Sequence, residues 1–184
     1  MIHILNEDFN SEQIAELISI CKSDSGLMGT KLRNAHYELG KRLVQNYKNL
    51  FSSQCCIISF MRSAIPFSFG LAEILDCPIL FYDSKDSDFF ERNKEIVNNK
   101  HVLFVDAVIN TGKGMLDAIF QSRASSKDIK ILSNVLCDKA IEKFTSYEVF
   151  TVRVSQNSFK GEKVLKQIGN KGPDTGDRLF RTFL

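Results

Sequence analysis

The sequence predicts a single α/β domain in which a parallel β-sheet is covered by helices on both faces. Short apolar runs of strand length alternate with helical segments between residues 54 and 154. These runs are apolar at consecutive positions, which is typical of strands buried on both faces of a sheet. The 184 residues, 43% of them hydrophobic, suit one domain with a substantial core. We expect one domain over residues 1–184, with helices in 1–50, the core sheet in 51–155 and a C-terminal hood loop in 156–184.

Two helices are expected before the first strand. Ser11 can cap a helix that runs to Cys21, because apolar residues then recur along one helical face. The turn Asp24-Ser-Gly ends this helix. A second helix is predicted over Thr30–Tyr47, with an apolar stripe that begins at Leu32.

The later elements alternate along the chain. The predicted strands are Gln54–Phe60, Pro78–Tyr82, His101–Val105, Ile129–Cys137 and Tyr147–Val154, and the predicted helices are Pro66–Leu75, Gly112–Ser122 and Asp138–Phe144. The polar stretch Asp83–Asn99 is a candidate lid over a binding site. The tail, Gly169–Leu184, carries three glycines and a proline and predicts an ordered loop anchored by apolar residues.

Composition excludes several classes of function. Lys and Arg number 24 against 22 Asp and Glu, so the charge gives no case for nucleic-acid binding. The five cysteines show no CxxC spacing, which favours small buried hydrophobes in a reducing cytoplasm. The three histidines show no metal-ligand spacing and are expected to be structural. No targeting segment and no membrane-spanning run are indicated.

The most informative stretch runs from the strand at His101 into the helix that starts near Gly112. The strand is followed by Asp106, and a short turn with Thr111 and two glycines then leads into the helix. Ligands of parallel sheets bind at the carboxyl ends of strands, and a Gly-containing turn at a helix N-terminus binds anions. An acid at the strand tip can accept hydrogen bonds from sugar hydroxyls. The stretch therefore predicts a site for a sugar phosphate.

A P-loop is a second interpretation of this stretch. Its pattern, GxxxxGK[ST], would place Ala107 at the first glycine and Gly114 at the Mg²⁺-binding hydroxyl. Both departures fall on functional positions, so this interpretation is disfavoured. A strand, turn and helix without a ligand is the remaining alternative.

Four segments resemble motifs of the uracil phosphoribosyltransferases. Val105–Gly114 resembles the family's D-P-M-L-A-T-G-G-S segment, with a single acid. Cys55–Pro66 resembles P-I-L-R-A-G-L, with Arg62 in the place of the arginine. The tail Gly176–Phe180 has the family's G-D-R-[LI]-F sequence, and Gly29–Asn34 resembles T-x-x-F-R-E. The resemblance covers nearly the whole chain and implies the phosphoribosyltransferase fold, which is Rossmann-like.

The resemblance implies transfer of a phosphoribosyl group from 5-phosphoribosyl 1-diphosphate to uracil, giving UMP and diphosphate in pyrimidine salvage. Magnesium would be carried mainly by the substrate, and no protein metal ligand is implied. Asp106 and Arg62 would be the catalytic residues. The phosphoribosyl group would be bound by Asp106, Ala107, Val108, Asn110, Thr111, Gly112, Lys113 and Gly114, the diphosphate by Arg62, Ser63 and Ala64, and the base by Gly172, Pro173, Asp174, Thr175 and Gly176.

Departures from the family leave other functions open. Ala64 and Gly114 replace a glycine and a hydroxyl residue, and Asp83 stands where a phosphate-facing arginine is expected, with Lys85 or Arg92 as substitutes. A catalytically weak nucleotide sensor or regulator is therefore an alternative, and so is an enzyme that acts on another base. Asp177 and Arg178 are expected either to pair with each other or to contact the base. The resemblance implies a homodimer or a larger homo-oligomer.

Overall fold

The parallel sheet is confirmed in a computed structural model, which describes residues 1–98, 100–124, 128–156 and 173–182. Its six strands lie in the order β1-β6-β5-β4-β2-β3, and every neighbouring pair is parallel. The strands are β1 (Ile2–Ile4), β2 (Cys55–Phe60), β3 (Ile79–Tyr82), β4 (His101–Ile109), β5 (Ile129–Cys137) and β6 (Glu148–Ser155). The first of these, which pairs with β6, was not predicted from the sequence.

Helices connect the strands. They are α1 (Leu5–Asp8), α2 (Glu12–Cys21), α3 (Thr30–Asn46), α4 (Ile65–Leu75), α5 (Phe89–Arg92), α6 (Lys94–Val97), α7 (Lys113–Ser122) and α8 (Thr175–Phe180). Short 3₁₀ helices lie at Ser23–Ser25, Lys48–Leu50 and Asp138–Phe144. No helix in the described ranges combines the length and apolar character needed to cross a bilayer.

Successive residues of the central strands serve two separate cores, as expected for a sheet buried on both faces. Ile57 of β2 packs in the core formed with α2, α3 and α4, whereas its neighbour Ile58 faces the core formed with α7 and the 3₁₀ helix at Asp138–Phe144. The candidate lid is partly anchored, because Phe89 and Val97 are buried in the second core.

Two glycines bring α3 and α4 into close contact. A Cβ added at Gly70 would lie 2.0 Å from the Tyr37 carbonyl oxygen, and one at Gly40 would lie 2.3 Å from the Phe67 carbonyl oxygen. Real Cβ atoms do not approach a backbone oxygen that closely. The two helices therefore pack backbone against backbone, and this holds α4 firmly behind the segment that follows β2.

The C-terminal tail contains a helix, so the prediction of a loop alone is corrected. The Asp177 N–H donates to the Asp174 carboxylate at 2.7 Å, and the Asp174 N–H donates to the Asp177 carboxylate at 3.3 Å. This reciprocal capping box fixes the first turn of α8. The nearby glycines and proline obscured the helix because they are typical of turns.

Candidate functional site

The carboxyl ends of β2 and β4 place the two candidate catalytic residues on one edge of the sheet. The strand β4 extends to Ile109, so Asp106 lies inside the strand and not at its tip as predicted. The pairing of β2 with β4 stops at Ser59 and Val105. Asp106 consequently lies beside the segment that follows β2, where Arg62 is found.

The Asp106 carboxyl group is held from two sides. Ser63, from the segment after β2, donates its hydroxyl hydrogen bond to Asp106 Oδ1 at 3.3 Å. Burial raises the pKa of Asp106 to about 6, while hydrogen bonds from the Val108 N–H, the Ser63 hydroxyl and the Ala107 N–H act in the opposite direction. The Ser63 contact joins the predicted diphosphate segment directly to the predicted sugar-binding acid.

Several predicted contact residues have a side chain that is buried or an N–H group that is bonded within the protein. The side chain of Ala64 is buried in the first core, and its N–H donates to the Phe60 carbonyl at 3.2 Å. Ala107 is buried, and the N–H groups of Ala107 and Val108 face the Asp106 carboxylate. Through these contacts, Ala64, Ala107 and Val108 orient the site in this structure.

The turn before α7 has the features of an anion site. Gly112 adopts a φ of 71° and precedes a helix whose first turn has no side-chain cap. A Cβ at Gly112 would lie 2.6 Å from the Phe144 ring, so this position requires glycine. Gly114 is exposed and has open space around it, and the Lys113 N–H lies 3.4 Å from the Thr111 hydroxyl oxygen.

Lys143 supports this turn from another element. Its Nζ donates to the Thr111 carbonyl oxygen at 2.7 Å, across 32 positions of sequence. The sequence analysis missed Lys143 because a single lysine in a short helix carries no motif. Asn110, the remaining predicted phosphoribosyl contact, is half-buried just before Thr111.

Arg62 connects the predicted diphosphate segment with the C-terminal helix. Its Nη2 donates to Asp177 Oδ1 at 3.1 Å, and its Nη1 donates to the Thr182 hydroxyl at 3.1 Å. The Thr182 hydroxyl in turn donates to Asp177 Oδ1 at 2.8 Å. A Cβ at Gly176 would lie 3.7 Å from Arg62 Nη2, so the guanidinium lies across this glycine.

The predicted base-binding segment therefore adjoins the predicted diphosphate segment. Pro173, Thr175 and Gly176 are buried and Asp174 is exposed. Gly172 lies outside the described residues. The pKa of Asp177 is held below its usual range, because hydrogen bonds from Thr182, Asp174 and Arg62 outweigh its desolvation.

The expected pairing of Asp177 with Arg178 is wrong. Arg178 is 1% exposed, and its Nη2 donates to the Lys22 carbonyl, the Ser25 hydroxyl and the Leu27 carbonyl at 2.9, 3.1 and 3.1 Å. Successive residues on a helix point in different directions, which sends Asp177 to Arg62 and Arg178 into the turn after α2. Arg178 is therefore an anchor of α8.

Replacing Arg178 with methionine should destabilise the protein by roughly 3 kcal/mol, because the acceptors in the turn after α2 would stay buried without their donor. The measurement is the free energy of unfolding in urea, followed by circular dichroism. Arg181→Ala is the matched control, since Arg181 is exposed at the end of the same helix. Equal losses in the two variants would contradict the anchoring role.

Asp83 stands where the resemblance implies an arginine, and Arg92 of the candidate lid is a predicted substitute. Arg92 forms an ion pair with Asp86, so its charge is already partnered. The pKa of Asp86 is lowered by this hydrogen bond. Lys85 is exposed and its N–H donates to the Asp83 carboxylate at 3.0 Å. The role of this segment as a lid stays a prediction.

A cleft of about 1460 Å³ lies elsewhere on the molecule. Its lining includes His101 and Tyr147, at the beginnings of β4 and β6, together with Phe90 and Phe120. His101 is at the other end of β4 from Asp106, whereas Phe90 lies in the candidate lid. No cluster of three or more His, Cys, Asp or Glu residues in the described part of the chain could hold a metal ion. The candidate site is thus the carboxyl edge at Asp106 and Arg62.

Comparison with known proteins finds a family model that matches most of the chain. A family model described as uracil phosphoribosyltransferase matches residues 30–182. This range contains all three motifs of the candidate site. None of the curated proteins compared matches the chain.

Two solved structures share the fold at low sequence identity, and a third is less similar. The AQ2163 protein from Aquifex aeolicus is 17% identical, with a TM-score of 0.63 and coverage of 98% of each chain. A hypothetical protein from Neisseria gonorrhoeae with bound ppGpp is 16% identical, with a TM-score of 0.52 over 66% of this chain and 80% of that one. A purine phosphoribosyltransferase from Pyrococcus horikoshii is 16% identical, with a TM-score of 0.47 over 77% and 97% of the two chains.

Proposed function

This chain belongs to the uracil phosphoribosyltransferase family, and on that basis we propose that it transfers the phosphoribosyl group of 5-phosphoribosyl 1-diphosphate to uracil. The products are UMP and diphosphate, the chemistry of pyrimidine salvage. The observation that carries the proposal is the convergence of three distant motifs at one edge of the sheet. Ser63 contacts Asp106, and Arg62 beside it contacts Asp177.

Each part of the substrate has a matching group at this edge. The Asp106 carboxylate accepts hydrogen bonds from the ribose hydroxyls, and the start of α7 binds the 5-phosphate through backbone N–H groups. Arg62 donates to the diphosphate as it departs, because a guanidinium offers a planar set of donors to phosphate oxygens. Catalysis arises from positioning and from stabilisation of developing charge, without a covalent enzyme intermediate.

Magnesium enters as part of the substrate. Of the half-buried acids at the described site, Asp177 is already paired with Arg62, and Mg²⁺ prefers oxygen ligands that it shares with phosphates and water. The ion bound to the diphosphate would neutralise charge on the leaving group. Asp106 and Arg62 would then hold the two ends of the same metal-bearing substrate.

The segment Pro173–Gly176 is the proposed site of the base. It lies against Arg62, so a base held there is close to the diphosphate end of the sugar. Uracil presents alternating donors and acceptors that main-chain groups can pair. The match of Gly176–Phe180 to the family's tail favours uracil over a purine. A homodimer or larger homo-oligomer is part of the same proposal.

The decisive experiment measures diphosphate release from 5-phosphoribosyl 1-diphosphate and Mg²⁺ with purified protein. Release that depends on uracil and not on adenine or hypoxanthine supports the proposal. Release with a purine alone would assign the site to another base. Binding of the phosphoribosyl substrate without turnover on any base would favour the alternative function, a sensor or regulator.

Replacing Arg62 with glutamine should raise the KM for 5-phosphoribosyl 1-diphosphate roughly 10-fold to 100-fold, because a charged hydrogen bond to phosphate is lost. Steady-state kinetics with uracil saturating is the measurement. Lys113→Gln removes a different cation, near the proposed 5-phosphate site. Ribose 5-phosphate has no diphosphate, so its binding distinguishes the effect of one variant from that of the other. Arg62→Gln should bind ribose 5-phosphate nearly as the parent protein does. Loss of that binding would contradict a diphosphate-specific role.

A further inference from the structure

Cys55 and Cys77 lie opposite each other at the beginnings of two neighbouring strands. The pairing of β2 with β3 runs in one constant register from Ile57 and Ile79 onward. The Ile57 N–H also donates to the Pro78 carbonyl at 2.9 Å, which brings the start of β3 alongside β2. Two residues before Ile57 and Ile79, the same register places Cys55 opposite Cys77.

The two thiols face the same side of the sheet. Cys55 is buried in the first core, and the half-buried Cys77 packs against that core. The two side chains are close enough to interact, and this interaction lowers the pKa of Cys55 and raises that of Cys77. Neighbouring strands are about 4.7–4.9 Å apart, within the roughly 4.4–6.8 Å between Cα atoms that a disulfide joins.

We propose that Cys55 and Cys77 form a dithiol site that a low-molecular-weight disulfide oxidises to an intramolecular disulfide bond. Cys77 is the point of entry, because it is half-buried whereas Cys21, Cys56 and Cys137 are buried like Cys55. Cys56 belongs to the core on the opposite face of the sheet, so it points away from Cys77. The pair is therefore selective among the five cysteines of the chain.

The chemistry proceeds by two exchange steps. The Cys77 thiol gives its proton to solvent, and its sulfur attacks one sulfur of the oxidant R–S–S–R. A Cys77–S–S–R bond forms, and one R–S⁻ leaves and takes the Cys55 proton. The Cys55 thiolate then attacks the Cys77 sulfur, and the second R–S⁻ leaves and is protonated. Two cysteine thiols are oxidised, and one R–S–S–R is reduced to two R–SH.

The bond would close a loop around β2, the Arg62 segment and α4 while lying at the edge of the sheet away from Asp106. Cys55 pairs with His101 at the start of β4, whereas Asp106 lies near the other end of that strand. The bridge restricts the unfolded chain without altering the candidate site. The melting temperature should rise by roughly 5–10 °C on oxidation and return with a reductant.

The test incubates the full chain with oxidised glutathione and counts free thiols after unfolding. The expected result is the loss of two thiols and a tryptic product linking the peptide with Cys55 to the peptide with Cys77, since trypsin cuts after Arg62. Cys56→Ala should keep the linked peptide, and Cys55→Ala should abolish it. The matched pair is needed because Cys55 and Cys56 share one tryptic peptide.

Two results of the peptide analysis would overturn the proposal. One is a linked peptide that persists in Cys55→Ala, which would show that the bridge uses another cysteine. The other is a stable glutathione adduct on Cys77 with no second exchange, which would show that Cys55 cannot reach it. Non-reducing electrophoresis identifies bridges between two chains, and these would also exclude the intramolecular bond.

Discussion

Replacing Asp106 with asparagine should lower kcat roughly 10²-fold to 10³-fold while leaving the protein at least as stable. The ribose hydroxyls would lose a charged acceptor at the reacting sugar, whereas the hydrogen bond from Ser63 has an oxygen acceptor in either side chain. The measurements are uracil-dependent diphosphate release and urea unfolding, both at pH 8. Full activity in the variant would contradict the assignment.

The stability of this variant provides its control. Burial raises the pKa of Asp106 to about 6 from an ordinary value of 3.8. The folded protein therefore binds the proton more tightly, and its stability falls as pH rises through this window and is constant above about 6. Above that pH the charged carboxyl costs free energy on the order of 3 kcal/mol. Asp106→Asn lacks this cost, and its urea unfolding separates a loss of activity from a loss of stability.

The pKa of Asp106 should also determine how kcat/KM falls at acid pH. A protonated Asp106 is a weaker acceptor, so kcat/KM of the parent protein should fall as pH drops below about 6. The residual activity of Asp106→Asn should lack this limb. A pH profile of both proteins between pH 5 and 9 compares them. An unchanged limb in the variant would assign it to another group.

Replacing Gly70 with alanine should destabilise the fold by roughly 3–5 kcal/mol. The new methyl group would lie 2.0 Å from the Tyr37 carbonyl oxygen, so α3 and α4 would have to separate. Their separation opens the core beneath both helices, because packed interiors do not deform continuously. Urea unfolding followed by circular dichroism measures the loss.

Gly114→Ala is the matched control for this substitution. Gly114 lies in the first turn of α7, and an added Cβ there meets no atom within 4 Å. Alanine is also the better helix former by up to about 1 kcal/mol, so stability should be unchanged or slightly higher. A loss of less than about 1 kcal/mol in Gly70→Ala would mean that the helices are not in contact in solution.

Local patterns in the sequence were enough for most of the sheet and its helices. The continuous apolar runs from Gln54 to Phe60 and from Ile129 to Cys137 indicated buried strands because both of their faces are covered. The strand β1 escaped detection because three residues are too few to show a period. The helix α8 had a readable signal, since Asp174 and Asp177 have the spacing of a capping box.

The contacts inside the site could not be predicted in the same way. The motifs named Arg62 and Asp106, but the partner of Arg62 is Asp177, 115 residues later in the chain. Only the packing of α8 brings these two together. The end of β4 was placed too early because an acid in a strand is unusual. The apolar residues Ala107 to Ile109 that follow Asp106 continue the strand.

The position of α8 has a consequence for how the protein is made. The Arg178 carbonyl accepts the Gly29 N–H at 2.8 Å, and the Leu179 carbonyl accepts Arg33 Nη1 at 2.7 Å, both at the start of α3. The ribosome synthesises α3 before β2, and α8 after every strand of the described sheet. A nascent chain can thus assemble the sheet while the start of α3 still lacks these partners. The segment proposed to bind the base is completed only after the sheet, when synthesis reaches α8.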